Sequence, residues 1–307
     1  MEEEIFDVVL QSTGVFFGSI DDWERFPPPK DDFSLDTDFW IGRLPHGVNS
    51  DSVLDACEPA GLNFRPIRQF GYRYAFCRRV IPPSQEFYSW DHDRVIGRTL
   101  FLSRLKHPTT VAPHYSARLI FNNDGTLSSI VPGRVQGYGT YVWIVANEWR
   151  DWFSQTEAEQ LRDSMPVYIR EAPERVRRAR SHIDHAFHAY YLDQRTASLV
   201  SGFESLLKIE RNRATAQFTL RVPALACVVG VTITLDEAES FYDDRSVYVH
   251  GRMPNFTDVN DELIERYNKF ETVLRCALLR ASTDAAFGQL FSSDEEITKA
   301  FGALPKK

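Results

Sequence analysis

Cysteine is scarce in this chain: four in 307 residues, at Cys57, Cys77, Cys227 and Cys276. No two form a C-x-x-C pair, which argues against a zinc finger and against a disulfide framework, and fits a reducing compartment. Surplus positive charge is also missing. There are 35 Lys and Arg against 43 Asp and Glu, a net charge of −8. That balance argues against broad, non-specific binding to nucleic acid, though not against a local basic groove. No apolar run approaches the roughly 18–20 residues that a membrane helix needs. The acidic stretch Met1–Val9 lacks the basic and apolar regions of a signal peptide. The expectation is a soluble, cytoplasmic protein with no membrane partner. No G-x-S-x-G, H-E-x-x-H, Walker or Rossmann pattern occurs.

What is present is an ordinary globular composition, 43% hydrophobic and 25% charged, in a length that suits about two domains. The character shifts midway. All six tryptophans lie at or before Trp152, with most of the glycines. Residues 94–105 and 115–121 are rich in β-branched, aromatic and leucine residues and read as strands. Asn122-Asn123-Asp124-Gly125 signals a hairpin, because Asp-Gly readily supplies positive φ. Thr140–Val145 reads as a further strand, and Asn147 as the cap of a helix from Glu148. The glycines Gly133, Gly137 and Gly139 read as turn residues; their order is wrong for a phosphate loop. Residues 1–155 are thus expected to form a strand-rich α+β domain.

From residue 156 onward the spacing becomes helical. Val176, Ala179, Ile183 and Phe187 mark one helix; Leu199, Phe203, Leu206 and Leu207 mark a second. An apolar stretch from Phe218 to Val231 contains Pro223, which either starts or kinks a third. Thr234-x-x-Glu237 is a capping box opening a helix over about 235–250, with Gly251 as its stop. Thr257 is placed to cap a long helix through Leu278, and Ser293-x-x-Glu296 opens a short last one. Residues 156–307 are expected to be an all-α helical bundle.

One segment carries chemistry. Tyr242-Asp243-Asp244-Arg245-Ser246-Val247-Tyr248-Val249-His250-Gly251 places an arginine and a histidine five apart at a helix end. A histidine exchanges protons near neutral pH, and a fixed arginine stabilises charge on a phosphate. Together they suit cleavage of RNA by its own 2′-hydroxyl, which needs a base, an acid and anion stabilisation but no metal. Five residues on an ideal helix is about 140° of rotation, so the pair meets only at a frayed end or across a symmetric interface. A plainer reading is an ion pair of Arg245 with Asp243 or Asp244, and His250 resting at the negative helix terminus.

The order Tyr-Asp-x-Arg-Ser-x-x-x-His-Gly resembles the signature of the HEPN superfamily, in particular its ApeA-like branch. Ser201–Leu207 is similar to that branch's second helix, with Glu204 at its acidic position. Phe218–Leu225 is similar to its Leu-Arg-Val-Ala-Ala-Leu helix, with Arg221 as the arginine and Pro223 in place of an alanine. Leu102–Thr109 is similar to a segment that often precedes such domains. The resemblance covers about residues 170–290. It implies a five-helix HEPN bundle, usually a homodimer, and a metal-independent endoribonuclease of the kind found in phage defence or toxin-like stress responses. In that reading RNA is the substrate and no cofactor is needed. His250 transfers protons, Arg245 stabilises the scissile phosphate, and Asp243 or Asp244 orients either of them, with Ser246 and Tyr248 as supporting residues. Arg252 stands where toxins silenced by nucleotidyl transfer carry tyrosine, which argues against that pairing. The first domain would then answer an unknown trigger. The alternative is a non-catalytic HEPN dimer that binds RNA, a nucleotide or a protein.

Other candidates are weaker. Arg221 sits in an apolar helix and needs a partner, for which Glu204 is a candidate. Arg175 and Arg178 on the first bundle helix, with Arg252, are candidates for contacting an RNA backbone; the competing reading is a solvated face helped by Glu171 and Glu174. His182, His185 and His188 follow at intervals of three, a drifting spacing that does not suit a metal, and no metal site is expected.

Overall fold

The structure is a computed structural model that describes residues 3–12, 32–36, 38–57, 74–80, 90–106, 112–135, 159, 172–189, 191–249 and 261–302. The chain divides into two compact units. The first comprises Met1–Leu100, Thr109–Tyr141 and Arg150–Arg162; the second comprises Phe101–Pro108, Val142–Trp149 and Asp163–Lys307.

The first unit is built on a six-stranded sheet. Its strands are β1 (Glu4–Ser12), β2 (Phe33–Asp36), β3 (Phe39–Gly42), β4 (Tyr74–Arg79), β5 (Ala112–Phe121) and β6 (Leu127–Val135). The order is β2-β3-β4-β1-β5-β6, and all five pairings are antiparallel. Alternation along the strands sends every second side chain to one face. Phe6, Val8 and Leu10 of β1 lie there beside Ala75 and Cys77 of β4 and Ala117, Leu119 and Phe121 of β5. Helix α1 (Ser50–Cys57) covers this face with Val53, Leu54 and Cys57. The hairpin between β5 and β6 turns where Asp124-Gly125 predicts it, with Gly125 at φ 79°. Gly133, expected in a turn, lies in β6 beside Pro132. Among the described residues β6 is the end strand of the sheet, where a proline removes no central ladder bond.

Residues 94–105 are helical, not extended: α2 runs from Trp90 to Lys106. Phe101 through Leu105 are all buried. A segment buried on every side loses its diagnostic period, and only its length separates helix from strand.

The second unit is mostly helical, as the spacing predicts. Its helices are α3 (Glu174–His188), α4 (Leu192–Leu207), α5 (Ala214–Val228), α6 (Leu235–Val249), α7 (Asp261–Thr283), α8 (Ala285–Gln289) and α9 (Asp294–Phe301). Pro223 sits inside α5. The core is aromatic: Phe241 of α6 stacks on Phe270 of α7 at 4.0 Å between ring centroids, and Phe203 of α4 meets Phe218 and Phe270 edge-on. Gly202 lets α4 approach its neighbours closely; a Cβ there would stand 2.7 Å from Leu274 and 3.5 Å from the Cβ of His182. The end of α2 belongs to this unit, where buried Arg275 donates to the Leu105 and Lys106 carbonyls at 3.3 Å. An arginine there satisfies carbonyls that a helix end leaves open. The expected strand Thr140–Val145 and the helix expected from Glu148 lie outside the described residues. None of the helices among the described residues is long and apolar enough to cross a membrane.

Candidate functional site

Helix α6 starts at the capping box: Thr234 Oγ1 accepts from the Glu237 amide at 3.1 Å, and Glu237 Oε2 accepts from the Thr234 amide at 2.7 Å. Two donors that a helix start leaves open are thereby satisfied reciprocally. This fixes the rotation of α6, and with it the face that carries Tyr242 and Arg245. Three residues apart on a helix, these two are surface neighbours. Tyr242 is buried; Arg245 is half-buried.

Both reach Glu204 on α4. The Tyr242 hydroxyl donates to Glu204 Oε1 at 3.0 Å, and Arg245 Nη2 donates to Oε2 at 3.3 Å. Arg245 Nη1 lies 3.2 Å from Glu204 Oε1 and donates to the Tyr242 hydroxyl at 3.2 Å. The guanidinium also stands over the Tyr242 ring, 5.6 Å from its centroid. Burial, and then the neighbouring Glu204 carboxylate, push the Tyr242 hydroxyl's pKa up from its ordinary value, so it stays a neutral donor. Arg245 Nε is buried without a hydrogen-bond partner.

The expected ion pair of Arg245 with Asp243 or Asp244 is not formed in this arrangement: its carboxylate is Glu204, 41 residues earlier. Asp243 is exposed. Asp244 Oδ2 instead lies 3.4 Å from Arg266 Nε on α7. Burial raises the Asp244 carboxyl above its usual range; Arg266 opposes the rise, while Asp243 and Glu262 add to it. Nor does Arg221 pair with Glu204. It donates to the Leu207 and Lys208 carbonyls at 2.7 and 2.8 Å, and to Gly302 at 3.4 Å. Arg221 is therefore the stopper of α4, holding the helix end whose previous turn carries Glu204. A cation at a helix C-terminus answers both the open carbonyls and the macrodipole. Ser246 and Tyr248 fall within α6. His250, Gly251 and Arg252 lie outside the described residues.

Glu204 also lines a groove of about 600 Å³ along α3 and α4. Arg175, Arg178 and His182 line it from α3, and Lys208 and Arg211 from the chain beyond α4. Most of these cations have carboxylate partners: Arg175 and Lys208 with Asp294, and Arg178 with Glu174. A second groove of about 420 Å³ is lined by His182, His185 and His188 of α3 and by Gln194, Ser198 and Ser201 of α4. The two grooves share His182 and Ser201. Burial, and then neighbouring His185, hold the His182 pKa below its ordinary value, against the opposing pull of Glu204. Among the described residues, no group of three His, Cys, Asp or Glu is placed to hold a metal ion.

Of the residues singled out by sequence, the fold brings together Glu204 and Arg245, and puts Arg175 and Arg178 on the groove that Glu204 lines. It separates Arg221, Asp243 and Asp244 from that cluster. Tyr242 as the bridging hydroxyl, and Lys208 and Arg211 as groove residues, were not anticipated. The spacing three before Arg245 was a legible signal for Tyr242. No family model matches the chain, and no curated protein or solved structure matches it either.

Proposed function

We propose that the chain is a metal-independent endoribonuclease of HEPN type, acting as a dimer in which the helical unit cuts RNA. The observation that carries this reading is the Glu204–Tyr242–Arg245 cluster, whose Glu204 lines a groove rich in cations. The two segments that resemble the HEPN pattern meet at one point of the fold. Arg245 is the group that stabilises negative charge on the scissile phosphate, and Glu204 and Tyr242 position its guanidinium. His250, one residue beyond α6, handles the proton. The 2′-hydroxyl loses its proton to a base and attacks the adjacent phosphorus. The P–O5′ bond breaks, and the leaving 5′-oxygen takes a proton from an acid. The products are a 2′,3′-cyclic phosphate and a 5′-hydroxyl.

A specific observation favours a second reading, a non-catalytic module that binds RNA. Glu204 already occupies both terminal nitrogens of Arg245, so a phosphate must displace a carboxylate to reach them.

One assay separates the two. End-labelled RNA is incubated with wild type, Arg245→Ala and His250→Ala in excess EDTA. Cleavage that survives EDTA, ends in cyclic phosphate and falls at least about 100-fold in both variants supports the nuclease. Tight binding of RNA by folded wild type without any cleavage establishes the binding module instead.

A further inference from the structure

We infer that the two grooves along α3 and α4 form one continuous track for the phosphate backbone of a single RNA strand, running from His188 to Arg211 past Glu204. This rests on the reading of the chain as a protein that acts on RNA, and it names where the strand lies.

Arg175, Arg178, His182 and His185 stand at i, i+3, i+7 and i+10, which on a 3.6-residue helix is a single stripe. The histidines alone drift, but together with the two arginines they continue one face. The structure places all four on the groove side of α3, whereas Arg180 turns away to donate to Ser282 at 2.8 Å. From Arg175 to His185 the stripe is about 15 Å long at 1.5 Å per residue. That length is suited to a few nucleotides of extended chain.

The opposite wall has matching chemistry. Gln194, Ser198 and Ser201 of α4 are neutral hydrogen-bonding groups, and Lys208 and Arg211 add cations at the far end. The acidic partners of these cations are surface carboxylates: Glu174, Asp294 and Glu210 are exposed. Exposed ion pairs are weak and exchange readily for a phosphate. Glu204 is the exception, since it is held by Tyr242 and Arg245. A strand in the track meets Glu174, an exposed partner of Arg178, and the firmly held Glu204, beside the arginine assigned to the scissile phosphate. Repulsion there is what would release Arg245 to the phosphate.

The test uses the full chain and a fluorescein-labelled 2′-O-methyl oligoribonucleotide of about ten nucleotides, which has no free 2′-hydroxyl and is not cut by this chemistry. Binding is read by anisotropy at several salt concentrations. Arg178→Glu and Arg211→Glu, one on each wall, should each weaken binding about tenfold and lower the salt slope by about one. Lys299→Glu, the same charge change on the exposed face of α9 outside both grooves, should change binding less than about twofold. Arg178→Gln and Arg211→Gln, milder changes, keep the test valid if a reversal disturbs folding by circular dichroism. Equal losses in Lys299→Glu and the groove variants, or no binding by wild type, overturn the track. Groove-dependent binding by a protein that cuts no unmodified RNA keeps the track and removes the nuclease. RNA cleavage dependent on Arg245, but unaffected in binding and rate by both groove variants, keeps the nuclease and removes the track.

Discussion

The two units of this chain set their charges in different ways. In the sheet unit, Asp7 of β1 and Arg118 of β5 face each other in register, joined at 2.7 and 2.9 Å. Their side chains are 5% and 13% exposed. In the helical unit, Glu204 and Arg245 are 22% and 27% exposed and share a tyrosine hydroxyl, and Glu204 lines an open groove. The first pair is a two-pronged lock inside a sheet, where the opposing strands leave neither partner room to exchange. The second is an engaged pair beside solvent, where a competing anion can approach. Burial therefore separates a charge pair closed off inside a sheet from one that solvent can reach.

The largest effect expected from this contrast is at Asp7. Asp7→Ala removes both short hydrogen bonds between the buried Asp7 and the largely covered Arg118 guanidinium, and should destabilise the sheet unit by about 3 kcal/mol. Hydrogen exchange in peptides from β1 and β5 would read the loss locally. The matching change in the other unit, Glu204→Ala, should cost only about 1–2 kcal/mol, since Arg245 can turn to water. If the two substitutions prove equally costly, the contrast collapses and Glu204–Arg245 is structural.

Next in size is the cap of α6. Thr234→Ala removes the acceptor for the Glu237 amide and should cost about 1 kcal/mol. The exchange protection lost should lie in the first turns of α6, with little change in the sheet. A loss spread through the whole helical unit would instead mean that α6 holds the bundle together and is more than the carrier of Arg245.

Much of the helical unit was legible because its cores are one-sided. Val176, Ala179 and Ile183 recur at the period of a helix that faces the core on one stripe, and Thr234 and Ser293 announce starts that the structure keeps. The helix Trp90–Lys106 was not legible, since its stretch Phe101–Leu105 is buried all round and has no stripe to read. The site was legible only by halves. Each of Glu204 and Arg245 stands out in its own segment, but their meeting depends on how α4 packs against α6. The partner of Arg221 shows the same limit from the other side: a buried arginine demands acceptors, and sequence does not say that these are the carbonyls of Leu207 and Lys208. Backbone acceptors carry no residue signature.

The smallest effect concerns His182, at the junction of the two grooves, and it sharpens the contrast in a second way. Its pKa in the folded chain lies below the ordinary 6.5 because burial, and then His185, disfavour the imidazolium. As pH falls below 6.5 the unfolded chain takes up this proton before the folded one. The stability tied to His182 is therefore complete above 6.5 and is lost as pH falls through the lower, folded value. His182→Gln abolishes that loss, so the wild type should weaken relative to the variant between neutral pH and about pH 5. The difference should be smaller than the effect of the α6 cap. Urea midpoints measured across that range decide it, and the sign carries the information. A wild type that gains on the variant as pH falls would mean that Glu204 outweighs burial at His182, and that the carboxylate is shared between the groove histidine and Arg245.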